Sequence, residues 1–156
     1  MRCNALLMGF LVLLTVTGCR SKAPYEGKSP AQLERMLRDP NPKVQVQGAF
    51  GLGRLGADAR PAVPALAEAL KNQQVLVREN AALALGHVGP DAADAVPALT
   101  EALNDAEWTV RRQAALALGQ VGPAARPALP ALKKLQDDPD HLVSRAAREA
   151  LEKIGS

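Results

Sequence analysis

One phrase is written four times in this chain. VRENAALALGHVG at 77–89 returns 33 positions later as VRRQAALALGQVG at 110–122, and the same step in each direction lands on VQVQGAFGLGRLG at 44–56 and VSRAAREALEKIG at 143–155. A fixed period of this size constrains the fold more than any other feature. Each unit is too small to bury its own apolar face, so the units must stack on one another.

At 100° per residue, Val77, Ala81, Ala84, Leu85 and Val88 fall on one side of a helix, as do Val110, Ala114, Ala117, Leu118 and Val121. Ahead of each phrase lies a shorter apolar pattern: Leu33 and Leu37, Leu66 and Leu70, Leu99 and Leu103, then Leu132 with Leu135. These spacings predict a first helix in every unit. Ser29-Pro30, Pro61/Pro64, Pro97 and Pro127/Pro130 mark its start, where a missing N–H costs little. The tetrads 39–42, 72–75, 105–108 and 138–141 predict turns between the paired helices. Gly56, Gly89, Gly122 and Gly155 are expected as left-handed caps after the second helices, and Gly53, Gly86 and Gly119 as points of close helix contact.

The composition suits such a stack. Aromatic residues make up only 3% of the chain against 47% hydrophobic in all, so the core must be built from Ala, Leu and Val. Nineteen Lys and Arg are interspersed with sixteen Asp and Glu, which gives a soluble surface and no footprint for nucleic acid.

The repeated phrase, with Pro-Ala-Leu opening the first helix and Asp before Val-Arg opening the second, resembles the HEAT repeat, specifically the short PBS-lyase HEAT-like subtype. The resemblance covers 29–156 and implies an all-α solenoid of four helix-pair repeats, at about 29–56, 57–89, 90–122 and 123–156. It also implies a right-handed superhelical stack whose second helices line a concave surface. The end repeats depart from the pattern. Ala82-Leu83 and Ala115-Leu116 become Arg148-Glu149, as expected where no further repeat covers the outer side. Gly48 and Gly51 predict a weak second helix in repeat one, with Phe50 filling the space they leave.

The N-terminus reads differently. Arg2, the apolar run Ala5 to Val16 and the small residues before Cys19 have the layout of a secretory signal, shorter than the ~20 residues of a membrane-crossing helix. Val16-Thr17-Gly18-Cys19 resembles the lipobox of bacterial lipoproteins, which implies cleavage after residue 18 and acylation, palmitate included, on Cys19. Cys3 would leave with the leader, so the mature chain would keep no free thiol. The alternatives are an ordinary secretory signal or an uncleaved anchor. Dozens of buried methylenes at ~0.8 kcal/mol each would make a lipid anchor effectively permanent. The resemblance, with Arg20 rather than Asp after the cysteine, implies the outer membrane if the source is Gram-negative. Residues 19–28 are expected as a lipidated tether; its nine residues from Arg20 reach at most ~30 Å, and Tyr25 packs on the first helix or on lipid.

Three sets of residues are candidates for function. In the HEAT family an Arg at the start of the second helix pairs with an Asp of an adjacent turn. The resemblance thus implies a structural ladder of Asp39, Arg78, Asp105, Arg111 and Asp138, with a ligand-binding arginine row as the alternative. The ladder is incomplete because Asn72, Gln45 and Ser144 interrupt it. Trp108, the only tryptophan, is placed in a turn, where it either packs over helix ends or anchors an interface. The third set is a stripe facing away from the intra-repeat core: Val46/Gln47/Phe50/Arg54, Glu79/Asn80/Leu83/His87 and Arg112/Gln113/Leu116/Gln120. It is either a partner surface or a contact between repeats.

Catalysis finds little support. The only histidines, His87 and His141, are far apart in sequence, and no phosphate loop, metal-spaced cluster or nucleophile with a base is present. The paired His-Glu motifs of di-iron helical-repeat hydroxylases are missing. The combined expectation is a lipid-anchored module at a bacterial envelope membrane that binds or scaffolds a protein partner through its repeat surface. No cofactor, nucleic acid or small-molecule substrate is expected. The alternative is a lyase-like or enzyme-accessory protein of the same fold.

Overall fold

The computed structural model describes residues 23–155. The segment 1–18 expected as a signal, Cys19 and the expected tether up to residue 22 lie outside the described residues. Eight α-helices alternate in length: α1 (Pro30–Leu37), α2 (Pro42–Leu55), α3 (Val63–Ala69), α4 (Val75–Val88), α5 (Val96–Ala102), α6 (Trp108–Val121), α7 (Leu129–Lys134) and α8 (His141–Gly155). No strand occurs among the described residues, and the helix pairs stack into an α-solenoid.

Prolines mark where the odd-numbered helices begin, since Pro30, Pro64, Pro97 and Pro130 each stand in the first turn. Between repeats the chain runs through 3-10 segments at Gly56–Ala62, Gly89–Ala95 and Gly122–Ala128 before the α-helix begins. Pro61 and Pro127 lie inside these segments, and a residue without an N–H breaks the i→i−4 ladder at that point. The helix start signals therefore mark a 3-10 prelude as well as an α-helix. Ala59, Ala62, Ala92, Ala95, Ala125 and Ala128 are fully buried in these preludes, where small side chains let the tighter coil lie against the stack.

Two expectations about helix ends need correction. Gly56, Gly89 and Gly122 do cap their helices at positive φ (57°, 70° and 74°), but with ψ near −130° rather than in the left-handed α region. Gly155 does not: it lies within α8 and is not at positive φ. The tetrads are not turns throughout, since Pro42, Val75, Trp108 and His141 are each the first residue of a second helix. Trp108 is thus a helix-start residue, 38% exposed.

One continuous core runs the length of the stack. The first-helix leucines and the second-helix faces are all buried, from Leu33 at 1% to Ile154 at 0% exposure. The second helices pack directly on one another, α2 on α4, α4 on α6 and α6 on α8, far more extensively than the first helices do. Glycine makes this possible: a Cβ on Gly119 would stand 3.0 Å from the Ala150 Cα. The second helices thus form the more extensively packed layer, the one that the resemblance places on the concave side.

Repeat one is closed by a device with no counterpart elsewhere among the described residues. Residues 23–28 form a turn, held by Glu26 N–H to the Ala23 carbonyl (2.8 Å), that docks on α2. Tyr25 packs there edge-on to Phe50, with ring centroids 5.1 Å apart, and so belongs to the second helix rather than the first. The glycines of α2 leave no gap for Phe50 to fill. A Cβ on Gly51 would meet the Leu33 side chain at 2.6 Å and the Tyr25 Cβ at 2.8 Å, and one on Gly48 would meet the Leu33 carbonyl oxygen at 2.8 Å. Phe50 instead points outward, 39% exposed. Gly51 is the register equivalent of Ala84 and Ala117, which are met by Gly53 and Gly86 of the preceding repeat. Tyr25 thus stands where a preceding repeat would be. At the other end Arg148, in the register of buried Ala82 and Ala115, is exposed.

Candidate binding face

The second helices are held in register by three side-chain rungs along their N-terminal edge. Arg78 donates from Nε and Nη2 to the two carboxylate oxygens of Asp105 at 2.7 and 2.8 Å, and from Nη1 to the carbonyl oxygen of Asn72 at 2.9 Å. Arg111 repeats this with Asp138 at 2.8 and 3.0 Å and with the carbonyl of Asp105 at 2.9 Å. In the first rung Gln45 takes the arginine's place. Its Nε2 donates to the Asp39 carbonyl at 2.8 Å, and its Oε1 accepts from Asn72 Nδ2 at 3.1 Å.

Each acceptor residue also shapes its own turn. Asp39, Asn72, Asp105 and Asp138 all accept from the backbone N–H two residues on, at 2.8 to 2.9 Å. Asp39 has no arginine partner among the described residues. Ser144 stands at the arginine position of repeat four and turns its hydroxyl to the carbonyl of His141 at 3.1 Å.

The charged rungs are largely buried, with side-chain exposures of 14% and 11% for Arg78 and Asp105 and 15% and 7% for Arg111 and Asp138. Burial pushes the Asp105 carboxyl up, but hydrogen bonds from Arg78 and from the Glu107 backbone outweigh it and hold it below its ordinary range. The hydrogen bonds from Arg111 lower Asp138 against a smaller opposing effect of burial. Both arginines are raised, chiefly by those same bonds. Both guanidinium groups are engaged through Nε, Nη1 and Nη2, so the ladder ties each second helix to its own turn and to that of the next repeat.

What it aligns is the concave face. Between α4 and α6 lies a shallow groove of about 190 Å³ lined by Ala82, Leu83, Gly86, His87, Gln113, Leu116, Ala117 and Gln120. Five of the stripe residues, Leu83, His87, Gln113, Leu116 and Gln120, are thus brought to one place. Phe50 lies one helix away on the same face, beside Tyr25, and Trp108 does not line the groove. His87 Nδ1 is 3.0 Å from the Gly53 carbonyl oxygen; that oxygen only accepts, so Nδ1 carries the proton and a neutral ring keeps Nε2 as an acceptor.

Two further grooves extend the face. One of about 130 Å³ between α6 and α8 is lined by Arg112, Leu116, Leu142, Arg145, Ala146 and Glu149. The other, about 330 Å³, lies at the start of α2 and α4 and includes Val46 and Leu76. Leu76, 60% exposed, and Leu142 were missed in the stripe, although Leu76 stands two helical turns before Leu83 on the same side. Gln47 and Gln113 form no hydrogen bond within the described residues, and Asn80 uses only its Nδ2, donating to the Leu76 carbonyl at 2.7 Å. The face therefore offers a row of open amides beside a row of apolar side chains, one pair in each of the first three repeats, with Ala146 and Glu149 at these positions of the fourth. His87 and His141 are not brought together. Among the described residues no cluster of three His, Cys, Asp or Glu could hold a metal ion.

Comparison with known proteins agrees with this architecture. The family model for HEAT repeats matches residues 29–94 and 90–152. Among solved structures, the complex of CpcE and CpcF of phycocyanin lyase from Nostoc sp. is 28% identical with a TM-score of 0.69, over 82% of this chain and 54% of that one. Human deoxyhypusine hydroxylase in complex with glycerol is 31% identical with a TM-score of 0.64, over 83% and 44%. A designed armadillo repeat protein in complex with the peptide (KR)4 is 21% identical with a TM-score of 0.70, over 78% and 62%. The chain thus spans less than two thirds of the length of each. No curated protein sequence matches.

Proposed function

This chain belongs to the HEAT-repeat family, a fold suited to protein binding or scaffolding, and from that premise we propose that it is a lipid-anchored envelope protein whose concave face binds an extended segment of a protein partner. The observation that carries the binding reading is the row of open amides. Gln47 and Gln113 have both donor and acceptor free, and Asn80 has its acceptor. A helix has no unpaired backbone groups along its length to offer such a row, whereas an extended strand exposes one N–H and one carbonyl at every residue. The apolar grooves beside the amides would take its side chains.

Lipid on Cys19 would concentrate the module at its membrane and raise the effective concentration of any partner there. The reading as a lyase-like or enzyme-accessory protein draws on the similarity to the phycocyanin lyase complex. It is less favoured, because the face carries shallow grooves of about 130 to 330 Å³ in place of one enclosed pocket.

A photocrosslinking residue in place of Gln113 in intact cells tests the binding reading, with a control probe at Glu101 on α5. One dominant adduct from position 113, absent from 101, is expected. Equal yields at both positions would show the face to be solvated and move attention to the edge at Trp108. Cys19→Ser, in cells fed an alkyne-labelled fatty acid, is expected to lose the label and leave the membrane fraction. A label that persists would sink the anchor.

A further inference from the structure

We infer that the concave face takes a segment in a polyproline-II-like extended conformation with an acidic side chain three residues from an apolar one. The carboxylate lies at Arg112 and Arg145, and the apolar group in the groove of Leu83 and Leu116. This rests on the binding reading above and adds the chemistry of the partner.

The charges in the groove between α6 and α8 do not balance. Its lining holds two guanidinium groups, Arg112 and Arg145, and one carboxylate, Glu149. Glu149 already pairs with Arg145 Nε at 3.3 Å. Arg112 has no ion-pair partner among the described residues, although it is only partly exposed. A cation held against apolar Leu116 and Leu142, short of one counter-charge, selects an anionic group from the partner.

Position along the stack is also specified. The register row Val46, Glu79, Arg112, Arg145 changes from apolar to negative to positive. Glu79 repels an acid placed over α4, so the carboxylate is confined to the C-terminal half of the face. The apolar groove between α4 and α6 lies next to it, and Leu116 lines both.

Spacing then selects the conformation. Packed helices stand ~8–10 Å apart, so neighbouring grooves are offset by about that much. A polyproline II segment rises ~3.1 Å per residue with three residues per turn, which puts i and i+3 on one side ~9 Å apart. A β-strand puts i and i+3 on opposite sides. The polyproline II backbone also makes no internal hydrogen bonds, leaving its amides and carbonyls for Gln47, Asn80 and Gln113.

Panning a randomised ten-residue peptide library on the full chain tests this. Enrichment of Asp or Glu three positions from Leu, Ile or Phe is expected, and R112E combined with R145E should weaken those peptides about tenfold or more and shift the acidic position to Lys or Arg. L116A should lower affinity while keeping the acidic preference, and binding of the Lys- or Arg-bearing peptides by the charge-reversed form shows that it folds. Enrichment with no acidic position, or an acidic preference unchanged by the double substitution, would overturn the inference and leave the binding face standing. No enrichment together with no crosslink at position 113 would remove both.

Discussion

The two ends of the rung ladder use one geometry and two chemistries. Gln45 and Arg78 both donate to the carbonyl of the turn that precedes their own helix, at 2.8 and 2.9 Å, and both reach the turn of the next repeat. The first rung is a single neutral hydrogen bond, and the second and third are buried bidentate ion pairs. The backbone turn thus positions the rung whatever side chain fills it, and charge sets how much depends on it. Where the ladder is neutral, repeat one is held by a different device, Tyr25 docked on α2. Among the described residues, repeats three and four have no such docked segment, and an ion pair fills the rung between them.

The sharpest way to break this comparison is to remove one partner at each end. Asp138→Ala leaves the Arg111 guanidinium buried without its carboxylate, which costs about 3–5 kcal/mol. Asn72→Ala removes two neutral bonds, one to Gln45 and one from the Gln74 N–H, and costs about 1–2 kcal/mol. Urea midpoints of the two variants measure the difference; equal losses would mean that charge adds nothing to the rung.

Acid reaches the same rungs without mutation. Asp105 and Asp138 have carboxyl groups held below the ordinary 3.8 in the folded chain. Their contribution is complete above that value and is lost as pH falls from it through the lowered folded values. The raised arginines contribute nothing to this window, since they stay charged throughout it. Hydrogen exchange followed down to pH 3 is expected to show α6 and α8 losing protection ahead of α2, whose rung has no titrating group. Simultaneous loss would count against the ladder as the source of acid sensitivity.

At the neutral end, Gly51→Ala pushes a methyl into Leu33 and Tyr25, and overpacking of this kind costs about 1–3 kcal/mol. The effect should be confined to α1 and α2, read as faster hydrogen exchange there with α6 unchanged. If the docked turn is dispensable, Tyr25→Ala will leave the exchange of α2 as it is.

The periodic part of this molecule was legible and the singular part was not. The buried faces of all eight helices follow from a pattern written four times, in which each copy checks the others. Residues 23–28 break the pattern, and nothing local in Tyr25 announces that it will stand in for a missing repeat. The 3-10 preludes were hidden for another reason: proline marks a helix start equally well for either coil. Leu76 and Leu142 were missed because each second helix begins earlier than the turn tetrads suggest, so their first turn was left out of the stripe. The groove pairing Arg112 with Arg145 joins equal positions of neighbouring repeats, which a stripe drawn one helix at a time does not compare.

The smallest expected effect sharpens the comparison most, because it rebuilds the difference and does not destroy anything. Gln45→Arg with Asn72→Asp should convert the first rung into a copy of the second, since the acceptor carbonyl of Asp39 and the turn at residue 72 are already in place. The gain is about 1 kcal/mol, a charge-assisted bidentate pair less the cost of desolvating it. Either substitution alone should destabilise, as it leaves one charge without a partner in a half-buried site. A double-mutant cycle by urea unfolding isolates the coupling. A favourable coupling would show that backbone geometry alone prepares the rung for charge. A coupling near zero would mean that the docked N-terminal turn has shifted repeat one out of the register that repeats two to four share.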